Sequence, residues 1–163
     1  MATKKANKNV LDLLEQDHEK LKHLLDRLEG TSSRGAKTRE RVIEDIHREL
    51  EVHSAIEEEI VYPAIREAAS DTEGEELHFE MVEEHFLAGE VELPRLLDTS
   101  ADSDEFSAKG VVLKELLTHH IVEEESRLFK RARKLCDEET LVELGHQVEA
   151  RKKELMRELK KAA

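Results

Sequence analysis

The sequence holds one cysteine, Cys136, which excludes an internal disulfide and implies a reducing compartment or no redox role for thiols. It has no apolar run near the roughly 20 residues that a membrane span needs. It is also short of basic charge: 26 lysines and arginines stand against 39 aspartates and glutamates, a net charge of −13. A phosphate backbone or an anionic membrane surface is bound through a basic face, so neither nucleic acid nor membrane is an expected partner. Small cations and neutral diatomic ligands remain open. The opening residues, MATKKANKN, are polar and lead into no apolar stretch, which predicts a disordered tail over residues 1–8 instead of a secretory leader, and a cytoplasmic protein. Nothing alternates at the period of a strand.

What is present is helical periodicity. In 163 residues, enough for one domain with a core of its own, Leu11, Leu14, His18, Leu21, Leu25 and Leu28 recur on one face. The loop GTSSRGAK follows, at 30 to 37. A second helix is predicted from about Thr38 to Ala69, bent near Pro63, and a third from about Glu75 to Leu97 with Pro94 near its end. Ser103 is a fitting N-cap for a fourth helix that runs to about Cys136. Long helices joined by short loops predict an all-α fold, an antiparallel up-down four-helix bundle over residues 9–136. Residues 137–163 add an amphipathic C-terminal helix, packed outside the bundle or against a second copy, which would make a homodimer.

One helix breaks the pattern. In LEVHSAIEEEIVYPA (50 to 64), the face that carries Ile46, Leu50, Ile60 and Ala64 also carries His53 and Glu57. An unpaired carboxylate buried there would cost several kcal/mol. HSAIEEEIVYPAIR (53 to 66) aligns with HIVEEESRLFKRAR (120 to 133), placing His53 on His120, Glu57 on Glu124, Glu58 on Glu125, Tyr62 on Phe129 and Arg66 on Arg133. The same offset of 67 residues carries His18, in EQDH, onto His85, in VEEH. Each half therefore reads His, then His-x-x-x-Glu 35 residues on, as duplication of a helical hairpin would produce.

Two such hairpins in an antiparallel bundle bring His18, His53, Glu57, His85, His120 and Glu124 to one level of the core. One helical turn separates the members of each His-x-x-x-Glu, about 6 Å along the axis, so both reach one metal or a close pair. Four imidazoles and two carboxylates divide between two ions, with two histidines terminal on each and both carboxylates bridging. Imidazole with carboxylate suits iron, manganese or zinc, and bridging carboxylates favour two redox-capable ions, iron first. With an oxo or hydroxo bridge each iron keeps an open position, and the buried glutamates are ionised because they face cations.

Taken alone, His18 or His85 would read as a core histidine bonded to a backbone carbonyl; the repeated set argues for ligation. No lysine or arginine falls in the central stripes to pair with Glu57 or Glu124. Glu58, Glu59, Glu123 and Glu125 turn away from the axis as solvated charge, with Glu58 or Glu125 as an outer partner of a ligand. His119 points about 100° away from His120. Tyr62 reads as packing or an outer partner, since its counterpart Phe129 cannot ligate. His23, His47 and His146 read as surface residues.

DHEKLKHLL with His18, HSAIEEEIVYP with His53 and Glu57, EEHFLAGEVELPRLL with His85, and HHIVEEESRLF with His120 and Glu124 together resemble the hemerythrin-like, or HHE cation-binding, domains. The resemblance covers about residues 8 to 136. It implies a cofactor of two non-haem iron ions that binds or reacts with O2, peroxide or nitric oxide, in stress response, sensing or iron homeostasis. Oxygen-carrying members have a histidine four residues before the helix-three ligand, where this sequence has Met81; His78 is two turns from His85 and too far to replace it. That departure points away from dedicated O2 transport. A peroxidase or catalase-like oxidoreductase on the same ligands, and a metal-free helical interaction module, are the alternative readings.

Overall fold

The computed structural model describes residues 8–162, and all their regular structure is helical. The tail expected over residues 1–8 lies outside the described residues except for Lys8. Five helices follow in order: α1 (Val10–Glu29), α2 (36–69), α3 (72–97), α4 (104–135) and α5 (Glu138–Ala162). Each of the first four helices lies against the next and α4 closes back onto α1, the expected up-down bundle, while α5 packs outside it against α1 and α2. None of the described helices is long and apolar enough to cross a membrane.

Side-chain caps set the starts. Asn9 accepts from Asp12 N at 3.1 Å, Asp71 from Gly74 N at 2.8 Å, Ser103 from Phe106 N at 3.1 Å and Asp137 from Thr140 N at 2.9 Å. The Asp71 cap opens α3 at Thr72, three residues before the periodicity places it, and a 3-10 turn over Ser33–Gly35 feeds α2 from Ala36. Gly145 lets α5 cross the start of α1 closely: a Cβ there would sit 2.7 Å from the Lys8 carbonyl oxygen. The apolar face of α5, with Leu141, Leu144 and Val148, is thereby buried within the chain against Val10, Leu11 and Leu14.

The core is two apolar clusters. One gathers Leu11, Leu14, Ile56, Tyr62, Met81 and Phe129 with the α5 face; the other gathers Leu21, Leu25, Ile46, Leu50, Leu93 and Leu117. At the second cluster's end Arg39, 4% exposed, closes two loops: it donates to the Ala101 carbonyl at 2.8 Å, the Thr31 carbonyl at 3.3 Å and the Ser107 hydroxyl at 2.8 Å.

Three helices each contain one stretch wound wider than an α-helix: Glu57–Val61, Phe86–Glu92 and Glu124–Leu128. Tyr62, Leu93 and Phe129 N–H donate to the carbonyls of Glu57, Ala88 and Glu124, five residues back. In place of a simple proline bend, α2 thus has a π-wound turn ahead of Pro63. Lys130 holds the equivalent place in α4, yet that turn is wound the same way, so proline is not its cause. Two of these turns open on Glu57 and Glu124 and the third follows His85, which is where such turns tend to serve a site.

Candidate metal centre

Between the two apolar clusters lie six buried polar side chains: His18 from α1, His53 and Glu57 from α2, His85 from α3, His120 and Glu124 from α4. These are the six residues expected from the repeat, and the fold brings all of them together. Their ligand-capable atoms form two groups, each within 4.8 Å: His18, His53, Glu57 and Glu124 in one, Glu57, His85 and His120 in the other.

The internal distances suit ions that sit between these atoms. His18 Nε2 lies 3.0 Å from Glu124 Oε2; Glu57 Oε2 lies 3.2 Å from His53 Nε2 and 3.1 Å from His85 Nε2; the Nε2 atoms of His85 and His120 are 3.0 Å apart. Two ligand atoms each about 2.1 Å from one ion, at a right angle, are about 3 Å apart. His18 Nε2, His53 Nε2, Glu57 Oε1 and both Glu124 carboxylate oxygens are buried without a properly directed hydrogen bond. A native core rarely leaves so many polar atoms unmet unless something else meets them. Glu57 faces both histidine pairs, whereas Glu124 sits close to His18 and 3.8 Å from His120 Nε2.

Without a cation the centre must settle its own charge. Burial pushes the Glu57 carboxyl well above the usual carboxylate range, and the neighbouring Glu124 charge adds to that push. Burial opposes ionisation of Glu124 too, but the His18 contact and nearby imidazoles hold it down at about 2. Burial disfavours the His18 cation, yet the carboxylates of Glu124, Glu57 and Glu125 keep it protonated up to about 9. His53, fully enclosed, is pushed down to about 4 by burial.

A ring of carboxylates meets the outward Nδ1 atoms. His18 donates to Glu125 at 2.8 Å, His85 to Glu58 at 2.8 Å and His120 to Glu84 at 2.7 Å, while His53 Nδ1 is 3.6 Å from Asp17. Such partners fix which nitrogen faces a metal and how the ring is turned. Glu58 and Glu125 are accordingly more than solvated charge. Asp17 and Glu84 carry no role in the sequence reading; the signal that identifies them is that each precedes His18 or His85 and that they share the 67-residue offset. Burial works against ionised Asp17, but His53 and Lys152 of α5, 2.7 Å from Oδ2, lower it.

The aromatic pair breaks the symmetry. Phe129 stacks on His18 with ring centres 5.8 Å apart, and Tyr62 stacks on His85 at 5.5 Å. The Tyr62 hydroxyl donates to Glu57 Oε2 at 3.1 Å and lies 3.3 Å from His85 Nε2. Met81 is fully buried among apolar neighbours. His119 stays outside, 65% exposed, with Nε2 3.3 Å from Glu84; His23, His47 and His146 are exposed.

Comparison with known proteins agrees with this geometry. The sequence model of the hemerythrin HHE cation binding domain matches residues 9–132. A DNA nickase of Nostoc sp. is 25% identical over 155 residues, which are 95% of this chain and 42% of that protein; the chain spans less than half of that relative. The crystal structure of a hemerythrin HHE cation binding domain-containing protein from Mycobacterium kansasii superposes with a TM-score of 0.78 at 23% identity, over 91% of this chain and 87% of that one, a likeness of fold.

Proposed function

Because the chain belongs to the hemerythrin HHE cation-binding family, we propose that its buried centre holds two non-haem iron ions and that the protein binds or reacts with O2, peroxide or nitric oxide. The observation that carries the reading is Glu57, a fully buried carboxylate with one oxygen 3.2 Å from His53 and 3.1 Å from His85, and the other turned toward His18 at 4.0 Å. Four imidazoles with two carboxylates are the donor set of iron, manganese or zinc, and not of magnesium or calcium. Held by these side chains, iron would supply reversible electron transfer to a small ligand at its open position. His18, His53 and Glu124 would hold one ion, His85 and His120 the other, and Glu57 both.

Met81 in place of a further histidine leaves the second ion with fewer protein ligands. That favours sensing, peroxide or nitric oxide chemistry, or iron handling over dedicated O2 carriage, and fits a cytoplasmic role in oxidative or nitrosative stress. The net charge of −13 argues against nucleic acid as a partner, and the name of the Nostoc protein describes a chain more than twice as long. The buried apolar face of α5 leaves a homodimer to be built on other surface of that helix.

Iron content and the optical spectrum, recorded before and after O2, peroxide and nitric oxide, test the reading. Two irons per chain with a spectrum that responds to at least one ligand is the expected result. An iron-reconstituted protein that retains none at equilibrium would sink it and leave a metal-free interaction module.

A second reading, peroxide turnover, is favoured by Tyr62, whose buried hydroxyl is a proton donor beside the His85 pair. Tyr62→Phe restores the residue of the other half. Unchanged iron content with lost turnover supports that reading; absence of turnover in the iron-loaded wild type removes it.

A further inference from the structure

We propose that the cleft between α2 and α3 is the entrance through which divalent cations reach the buried centre, an inference that rests on the metal reading above. The cleft encloses about 400 Å3 and has His85 at its inner end. Glu58 spans from solvent to the centre: its side chain is 40% exposed, and its Oε1 accepts from the Nδ1 of His85, itself 3% exposed. Glu51 and Glu90 line the cleft with Glu58, and no lysine or arginine does. Walls of one sign concentrate ions of the opposite sign and repel those of their own.

The duplication supplies an internal comparison. A shift of 67 residues turns the α2/α3 pair into the α4/α1 pair, which leads to His18 as the first leads to His85. On that side Lys22 takes the position of Gly89, Ile121 that of Ser54 and Val122 that of Ala55. His23 stands where Glu90 does, Thr118 where Glu51 does and Lys114 where His47 does. Each of these differences adds bulk, removes negative charge or adds positive charge, whereas Glu15, Glu19 and Asp26, in place of Val82, Phe86 and Leu93, add carboxylates on that side. Lys22 Nζ sits 2.7 Å from Glu19 and 4.0 Å from Glu125, so the counterpart of Glu58 has a cation beside it. At Gly89, by contrast, a Cβ would meet only Leu50 Cδ2, at 4.0 Å, leaving room for a side chain in the cleft. Two halves of one repeat, alike at their ligands, thus differ where a passage would run: one has a glycine, small residues and no lysine or arginine on its walls, the other bulkier residues and two lysines set among its carboxylates.

The test transplants the filled side onto the open one. Apoprotein with Ser54→Ile and Gly89→Lys is mixed with Co(II), uptake is followed by visible absorption in a stopped-flow instrument, and metal content is measured at equilibrium. The expected result is unchanged final content with uptake slowed about tenfold or more. Glu51→Gln with Glu90→Gln adds no bulk and should slow uptake at low ionic strength, with the difference fading at about 0.5 M salt; it carries the test if the first variant does not fold. Wild-type uptake rates in the cleft variants overturn the entrance and leave the metal centre standing, whereas no Co(II) uptake by the wild type overturns both.

Discussion

The Nδ1 of His85 donates to Glu58 at 2.8 Å, a contact between α3 and α2 that has its own copy, His18 to Glu125 at 2.8 Å, between α1 and α4. Each half of the repeat therefore orients a histidine of the other half. A cation at the centre would hold the two hairpins together through its ligands, and these outer pairs would hold the ligands in turn.

Glu58→Gln and Glu125→Gln should each weaken metal affinity by about 10–100-fold, the usual cost of losing an outer partner. Both side chains are partly exposed, so the fold should tolerate the change. Competition against a chelator of known affinity gives the shift, and circular dichroism checks that helix content is kept. Affinity within about twofold of wild type in both variants would mean that the outer carboxylates do not orient the ligands.

Glu57→Ala should reduce metal content more than Glu124→Ala does. Glu57 belongs to both ligand groups, while Glu124 lies nearer the His18 side. The expected outcome is loss of one ion or both for Glu57→Ala, with an altered spectrum. Two irons and an unchanged spectrum in that variant would show the ligand assignment to be wrong.

How far the site is readable from sequence follows from what each residue disturbs. His53 and Glu57 interrupt an apolar stripe, and the 67-residue repeat multiplies the interruption, so all six central residues stand out. Asp17 and Glu84 interrupt nothing: they lie one position beside His18 and His85, on flanks where acidic residues are ordinary. Arg39 is invisible for another reason, since its acceptors at Thr31, Ala101 and Ser107 come from separate parts of the chain. The wide turn at Glu124–Leu128 has no proline to announce it and depends on packing that periodicity does not encode.

Removing the metal should lower the melting temperature. Ligand that binds only the folded state stabilises by about 2.7 kcal/mol at a free concentration 100 times Kd. For a chain of this size that corresponds to about 5–10 °C. Calorimetry of the chelated and reconstituted protein measures it, and the difference should shrink in Glu57→Ala. Equal melting temperatures would mean that the centre binds no metal tightly.

Arg39→Met should cost about 2–4 kcal/mol, because it leaves the Thr31 and Ala101 carbonyls without their buried donor. Urea unfolding measures the loss. Metal content should stay unchanged, since Arg39 closes the loops beside the second apolar cluster and touches none of the six central residues. A drop in metal content equal to that of a ligand variant would show that the loop end and the centre are coupled.

Gly145→Leu tests whether α5 is part of the folded unit or an appendage. The first carbon of any side chain would stand 2.7 Å from the Lys8 carbonyl oxygen and 3.2 Å from Val10 N, and both are backbone atoms that cannot rotate away. Either α5 lifts off or the start of α1 shifts, and in both cases Leu141, Leu144 and Val148 lose packing against Val10, Leu11 and Leu14. Overpacking of this kind costs about 1–3 kcal/mol. The effect should reach the centre as well, since Lys152 of α5 holds Asp17, which faces His53 Nδ1 at 3.6 Å. Lower stability together with weaker metal binding is therefore expected, and Lys152→Met should reproduce the weaker binding with a smaller loss of stability. Should Lys152→Met leave affinity intact, the contribution of α5 would be confined to packing.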